Sequence, residues 1–316
     1  MPNFQGVWDL RTQFQYAGEW PVPLPANMGV FFGSYVSSIN STINFINLAS
    51  AGNAASFGSL TTAKRNNGGF GSTTRGLTGG GYTGPTNIIE FITFATKSDT
   101  SDFGDLTEAR GYPAGSSNNT RGLFSGGYAS NYSDVIDYVT IASEGNATDF
   151  GNLSIGRYGQ GSLASPTRSV TGGGVDSNNQ RSNVMDYVTI SSTGNATDFG
   201  DLVAAREYIR TGASETRGLF MGGSASTTYY DNIEYITIGS TGNTTDFGDL
   251  SSAKSIGAGC SSNTIAVYAG GTESGGYINT IDQVTIASTG NATDFGDLLA
   301  AGGQMSSASN CHGGVQ

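Results

Sequence analysis

Two families of charged residues recur through this chain, and they are the side chains best equipped to do chemistry. Lys64, Arg110, Arg157, Arg206 and Lys254 each stand seven residues after a recurring phenylalanine. Carboxylates recur at Glu90, Asp137, Asp186, Glu234 and Asp282, and a further set at Asp102, Asp149, Asp198, Asp246 and Asp294. A second basic series runs Arg75, Arg121, Arg168 and Arg217. Gathered at one point, such guanidinium groups would hold an anionic ligand through charge-assisted hydrogen bonds. Two carboxylates facing a sugar bond would suit glycoside hydrolysis. Distributed over equal units, the same groups instead form equivalent ion pairs, each arginine clamping a carboxylate or strand-end carbonyls of its own unit or the next. Regular recurrence favours the distributed arrangement, because a catalytic site is asymmetric and nothing marks out one pair from the rest. The series break at Gly302 and Ile265 among the bases and at Asn44 among the acids.

Other routes to chemistry are narrow. His312 is the single histidine, which leaves no material for a Ser-His-Asp triad or a histidine-based metal site. Asp-Phe-Gly, a tripeptide of protein kinases, occurs five times here without the lysine, glycine loop and catalytic loop that give it meaning. Asn146, Asn195, Asn243 and Asn291 each open an Asn-x-Thr triplet, yet all occupy the same repeated turn, which points to a turn role. No acidic loop has the spacing of a known calcium site. No cofactor is expected. Cys260 and Cys311 are too few for a disulfide framework and are expected as free thiols. The formal charge of −11, with no lysine or arginine cluster, argues against a nucleic-acid-binding face. No run reaches the length of a membrane-spanning helix, and the opening MPNFQGVWDLRTQ lacks the pattern of a signal peptide.

The elements that must position these groups follow from a repeat. The recurring phenylalanines are Phe57, Phe103, Phe150, Phe199, Phe247 and Phe295, at intervals of 46, 47, 49, 48 and 48 residues. A fixed period of this size signals a repeat architecture. Each unit holds an apolar strand ending in glycines, such as Gly122–Gly127, then a variable polar loop. A second strand follows, such as Val135–Ile141, then a Ser-x-Gly-Asn-Ala-Thr turn, a strand carrying Asp-Phe-Gly-Asp-Leu, and a final strand rich in Gly, Ser and Ala. Four short strands per unit of about this length describe a propeller blade. The apolar runs point to both faces of their strands, as blades covered on both sides require. The expectation is therefore an all-β, six-bladed propeller of four antiparallel strands per blade over residues 28–316, with the anchor phenylalanines buried between blades. Met305–Gln316 is expected to pair beside Gly29–Gly33, closing the ring and leaving no long open edge.

The order of these features resembles kelch repeats. In that family a double glycine precedes a tyrosine-bearing strand, a tryptophan and an arginine. Here Gly126-Gly127, the Val135–Ile141 strand, Phe150 and Arg157 occupy those places, with phenylalanine replacing tryptophan in every unit. The phrase GNATDFGDL, together with the opening MPNFQGVW, resembles structural proteins of tailed phages of marine bacteria and cyanobacteria. That resemblance covers nearly the whole chain. It implies a virion component, made in the host cytoplasm and present in several copies, without fixing its place in the particle.

Two regions stand apart from the repeat. Residues 1–27 carry Phe4, Trp8, Phe14, Tyr16 and Trp20 and end in Pro21-Val-Pro-Leu-Pro25, an extended arm. It either packs on its own domain or docks to another virion protein, since tryptophan and tyrosine concentrate at binding hot spots. The loops after the double glycines vary in length and carry Tyr35, Tyr82, Tyr128, Tyr132, Tyr229, Tyr230 and Tyr277 among Asn and Ser. In a propeller these loops share one face, and such a composition suits adaptable binding. The expectation for function is a non-enzymatic virion protein of the tail, baseplate or fibre apparatus, attached by its arm and meeting a host-surface glycan or protein, or a neighbouring subunit, through its loops. The alternatives are a glycan-binding or glycan-cleaving propeller and a cellular kelch interaction protein.

Overall fold

A computed structural model describes residues 27–311. Phe4, Trp8, Phe14, Tyr16 and Trp20 of the arm, and His312, lie outside the described residues. The described chain is all β, with six sheets of four antiparallel strands arranged as a closed six-bladed β-propeller. Blade four shows the plan: Gly161–Ala164 is innermost, followed outward by Arg168–Gly172, Val184–Thr189 and Thr197–Asp201.

Closure follows the expected route. Ser306–Ser309 supplies the innermost strand of blade one and pairs antiparallel with Met28–Tyr35, placing Ser309 opposite Gly29 and Ser306 opposite Phe32. The first blade is thus built from both ends of the described chain, and the Gly-Ser-Ala strand at the end of each repeat is the innermost strand of the next blade.

Six hydrophobic clusters fill the structure, one per junction between neighbouring blades. Phe103 shares its cluster with Phe124, Val139 and Ile141 of the next blade. All six anchor phenylalanines are 2% exposed, as expected from their repetition. A feature not visible in the sequence pattern aims them. In every blade the pairing between the third and outermost strands shifts at the anchor, so that Ile136 faces Gly151 while Asp137 faces Asp149, leaving Phe150 unpaired. This β-bulge redirects one side chain out of the alternation, and it turns each anchor into the inter-blade core.

The small residues near the axis have an equally concrete cause. The inner strands approach so closely that a Cβ on Gly69 would lie 2.5 Å from the Ser307 carbonyl oxygen. Serines at these positions donate to the preceding blade instead: Ser117 Oγ to the Gly71 carbonyl at 2.6 Å, and Ser309 Oγ to the Ser261 carbonyl at 2.7 Å.

Candidate functional site

The repeated charges form a belt of buried pairs between blades. Each basic residue sits on the segment entering a blade and meets the carboxylate of that blade's third strand. Arg110 bonds Asp137 at 2.9 Å, Arg157 bonds Asp186 at 2.7 Å, Arg206 lies 3.0 Å from Glu234, and Lys254 lies 2.9 Å from Asp282; Lys64 pairs with Glu90. The carboxylates also accept from the preceding segment. Asp186 takes the Ser154 amide and hydroxyl, and Asp137 takes those of Thr107. Burial pushes the Arg157 and Arg206 guanidinium groups below their ordinary range, and the facing carboxylates oppose that shift. Burial also tends to raise Glu90, but the Lys64 charge and bonds from Lys64, Thr61 and Thr100 outweigh it and hold Glu90 below the usual carboxylate range. These groups are paired with one another and spread around the ring. They do not gather at the axis around one shared ligand. The other carboxylate set, Asp102, Asp149, Asp198, Asp246 and Asp294, is exposed on the outermost strands and takes no part in the belt.

The one incomplete junction explains the breaks in the series. The base missing at Gly302 and the acid missing at Asn44 belong to the same inter-blade position, between blades six and one. Both charges are lost together. That is what electrostatics demands, because an unpaired buried charge is far more costly than a neutral pair.

The second basic series performs a related task nearer the rim. Arg75, Arg121, Arg168 and Arg217 lie over Phe91, Tyr138, Tyr187 and Tyr235 at 4.4–4.7 Å from the ring centroids. Each donates to a carbonyl of the following blade, for example Arg121 to Ile190 at 2.8 Å and Arg217 to Ile286 at 2.9 Å. The Gly-Asn-Ala-Thr turn is explained in the same way. The Gly194 amide donates to the Phe150 carbonyl at 2.7 Å, and Asn195 Oδ1 accepts from the Asn152 amide at 3.1 Å, fastening one blade's turn to the previous blade's outer strand.

What remains unequal between blades is the face around the axial channel. Tyr112, Tyr158 and Tyr208 stand where the chain enters blades three, four and five, and their rings pack 5.2–6.3 Å apart. The sequence pattern does not mark these three residues, because they lie on the entry segments and not on the variable loops. Loop tyrosines join them or form a second group. Tyr82 packs on Tyr112 at 5.8 Å, and Tyr128 and Tyr132 pack on Tyr158 at 5.6 and 5.5 Å. Tyr35 meets Tyr277 edge to face at 6.0 Å, with Arg65 stacked over Tyr35 at 4.4 Å. Tyr229 lines a cavity with Tyr112 and Tyr208, and Tyr230 lies 5.8 Å from the Arg206 guanidinium. All seven loop tyrosines are half-buried, more enclosed than fully exposed loop tips would be.

Two hollows open here. The axial cavity itself is only about 70 Å³, room for a few water molecules. Beside it, between Tyr112, Tyr208, Tyr229, Asn66, Gln304 and Glu207, lies a depression of about 240 Å³. Its single carboxylate, Glu207, is engaged by Arg181 at 2.8 Å. Burial, first of all, raises the phenols of Tyr112, Tyr158 and Tyr208 above their ordinary range, so the face presents neutral hydroxyls. Entry to most blades passes through a left-handed residue, among them Asn66, Tyr112, Tyr208, Ile256 and Gln304 with φ between 52° and 62°. That conformation is uncommon outside glycine. It turns the chain sharply into the inner strand and sets Tyr112 and Tyr208 on the rim.

Among the described residues no group of three or more His, Cys, Asp or Glu is placed to hold a metal ion, and Cys260 and Cys311 are free. No helix among them is long and apolar enough to cross a membrane.

No protein-family model matches the sequence, and no curated protein matches it. In three dimensions the chain is similar to 480 solved chains, a breadth that points to an architecture and not to one activity. The structure of YjhT is one of these. It aligns with a TM-score of 0.66 over 79% of this chain and 88% of its own, at 10% sequence identity. Likeness at that identity establishes the propeller fold alone.

Proposed function

We propose that this chain is a non-enzymatic recognition module of a tailed-phage virion. Residues 1–27 dock it to the particle, in the tail, baseplate or fibre apparatus, and the tyrosine face meets a host surface or a neighbouring subunit. The observation that carries the recognition half is the asymmetry of that face. Nearly all buried charged side chains of the blades are consumed in ring-building contacts repeated from unit to unit. The tyrosines are concentrated around one end of the channel and differ from blade to blade. Rigid aromatic side chains with a polar tip, held on short loops by a stiff scaffold, give large contact area at small entropic cost. The virion half rests on the likeness of GNATDFGDL and MPNFQGVW to phage structural proteins, and the arm's tryptophans suit a single fixed partner.

A glycan-binding propeller is the second reading, and one feature favours it. The depression of about 240 Å³ is lined by hydroxyl and carboxamide groups beside tyrosine rings, with its only carboxylate already paired. That is a fitting surround for a neutral sugar unit.

Two variants test the proposal. Deleting residues 1–27 is expected to abolish incorporation into particles, read by mass spectrometry of purified virions, while the protein still melts cooperatively. Tyr229→Ser combined with Tyr230→Ser is expected to leave incorporation intact and to slow adsorption to host cells. Normal incorporation of the truncated chain would refute the docking half. Unchanged adsorption by the loop variant would remove the recognition half. Binding of the wild-type chain on a glycan array, lost with Tyr229→Ser, would favour the second reading.

A further inference from the structure

Among the described residues the basic side chains follow a rule: each meets a carboxylate or lies over an aromatic ring. Arg210 obeys neither half. It opens the innermost strand of blade five, at a position occupied in the other blades by Gly68, Ala114, Gly161, Ala258 and Ser306. It is the one charged residue among those lining the axial cavity, and it forms no salt bridge with any carboxylate among the described residues. Its Nε donates to the Gly257 carbonyl at 2.5 Å, and its Nη1 reaches the carbonyl of its own neighbour, Ile209, at 3.2 Å. Carbonyl dipoles satisfy two donors and leave the charge uncompensated.

The surroundings favour an anion. The innermost strands are sheet edges, so each turns toward the axis main-chain donors that its own sheet does not use. Hydroxyls of Ser162, Thr211, Ser306 and Ser307 also line the cavity and keep its wall polar, those of Thr211 and Ser307 donating to the Ser162 and Gly259 carbonyls. No carboxylate lines it to repel a negative ion. The cavity is about 70 Å³, which admits a small inorganic ion. One guanidinium supplies one positive charge. A monovalent anion neutralises it, whereas a phosphate dianion would leave excess negative charge in a site of low dielectric, inside a chain whose formal charge is already −11.

We propose that the axial cavity beneath the tyrosine face binds a single chloride-sized anion, held by Arg210 and by donors of the innermost strands. The anion acts as the missing counter-ion at the centre of the ring. Burial lowers the Arg210 guanidinium, and the Tyr268 and Tyr208 hydroxyls oppose that shift only in part; an anion in contact would relieve the remainder. Asn66, Tyr112 and Tyr208 border both this cavity and the depression beside it, but the anion site does not rest on the recognition role proposed above.

The test uses the full chain. Crystals soaked in bromide are expected to show an anomalous peak within hydrogen-bond reach of the Arg210 guanidinium. In solution, replacing gluconate by chloride at constant ionic strength is expected to raise the melting temperature saturably, by a few degrees, as binding to the native state alone requires. Arg210→Gln should lose that response while keeping the same cooperative melt in gluconate. If wild type and Arg210→Gln respond to chloride equally, or bromide occupies sites only away from Arg210, the proposal is overturned. Should Arg210→Gln fail to fold, the bromide experiment on the wild-type chain decides alone.

Discussion

At the scale of single residues, the fold is held by a few side chains repeated around the ring, and their energetics can be measured one at a time. Phe199 is 2% exposed and packs between blades four and five. Phe199→Ala is expected to cost about 3–5 kcal/mol, the usual range for a buried phenylalanine, measured by denaturant unfolding; a loss below about 1 kcal/mol would place the anchor outside the core. The lost pair at Asn44 and Gly302 gives a sharper experiment. Asn44→Asp alone puts an unpaired carboxylate into a site 7% exposed and is expected to destabilise by several kcal/mol, about 3–5 by analogy with broken buried pairs. Adding Gly302→Arg should recover part of the loss, read as a favourable coupling energy in a double-mutant cycle. Additive effects would show that the two positions do not face each other. Glu90 supplies a pH signature. Its folded pKa lies below the unfolded one, so its contribution is complete above about pH 4.3 and disappears as pH falls through the folded value. Glu90→Gln is therefore expected to lower stability at neutral pH and to flatten its fall on acidification. An acid limb as steep as in wild type would contradict this.

At the scale of elements, the repeated phrase is an inter-blade fastener. Asp-Phe-Gly forms the bulge, and its glycine lies against the next blade's turn. Gly200 has φ 139°, and a Cβ there would lie 2.5 Å from the Gly242 carbonyl oxygen. Gly200→Ala is expected to cost at least about 1–3 kcal/mol through strain and displacement of the neighbouring blade. Gly239 is the control, because a Cβ there would meet no atom within 4 Å. Gly239→Ala should leave the melting temperature unchanged or slightly raised. Equal effects would mean that the contact between Gly200 and Gly242 contributes nothing. Much of this level was legible in the sequence, because period, strand order and burial of Phe150 follow from hydrophobic pattern and repetition. The bulge was not, since it depends on register between two strands and not on the residues of either. The pairing partners were legible only as columns. Which arginine meets which carboxylate depends on how each entry segment folds back onto its own blade. Tyr112, Tyr158 and Tyr208 were hidden for a different reason. They sit on entry segments whose sharp turns tilt them toward the axis, and nothing in a linear pattern marks that tilt.

At the scale of the whole molecule, both ends of the described chain meet in one blade. Removing Met305–Gln316 strips the innermost strand from blade one and exposes the edge of Met28–Tyr35, along with the Ser309 contact to Ser261. The truncated protein is expected to melt at a lower temperature and to self-associate through the opened edge, seen by calorimetry and light scattering. An unaltered melt would mean that the ring does not depend on this closure. A closed ring of equivalent blades is a rigid support whose repeated chemistry is spent on itself. The two faces are where individuality remains, and the tyrosine-rich one holds most of it. Whether that face binds is therefore the central question. The most direct measurement is a binding isotherm of the labelled full chain on host cells, comparing wild type with a variant carrying Tyr82→Ser, Tyr132→Ser and Tyr229→Ser, both shown by calorimetry to melt cooperatively. Saturable binding is expected for the wild type, with at least a tenfold weaker isotherm for the variant, about 1.4 kcal/mol or more of lost binding free energy. Superimposable isotherms from two folded proteins would contradict a recognition role for the tyrosine face.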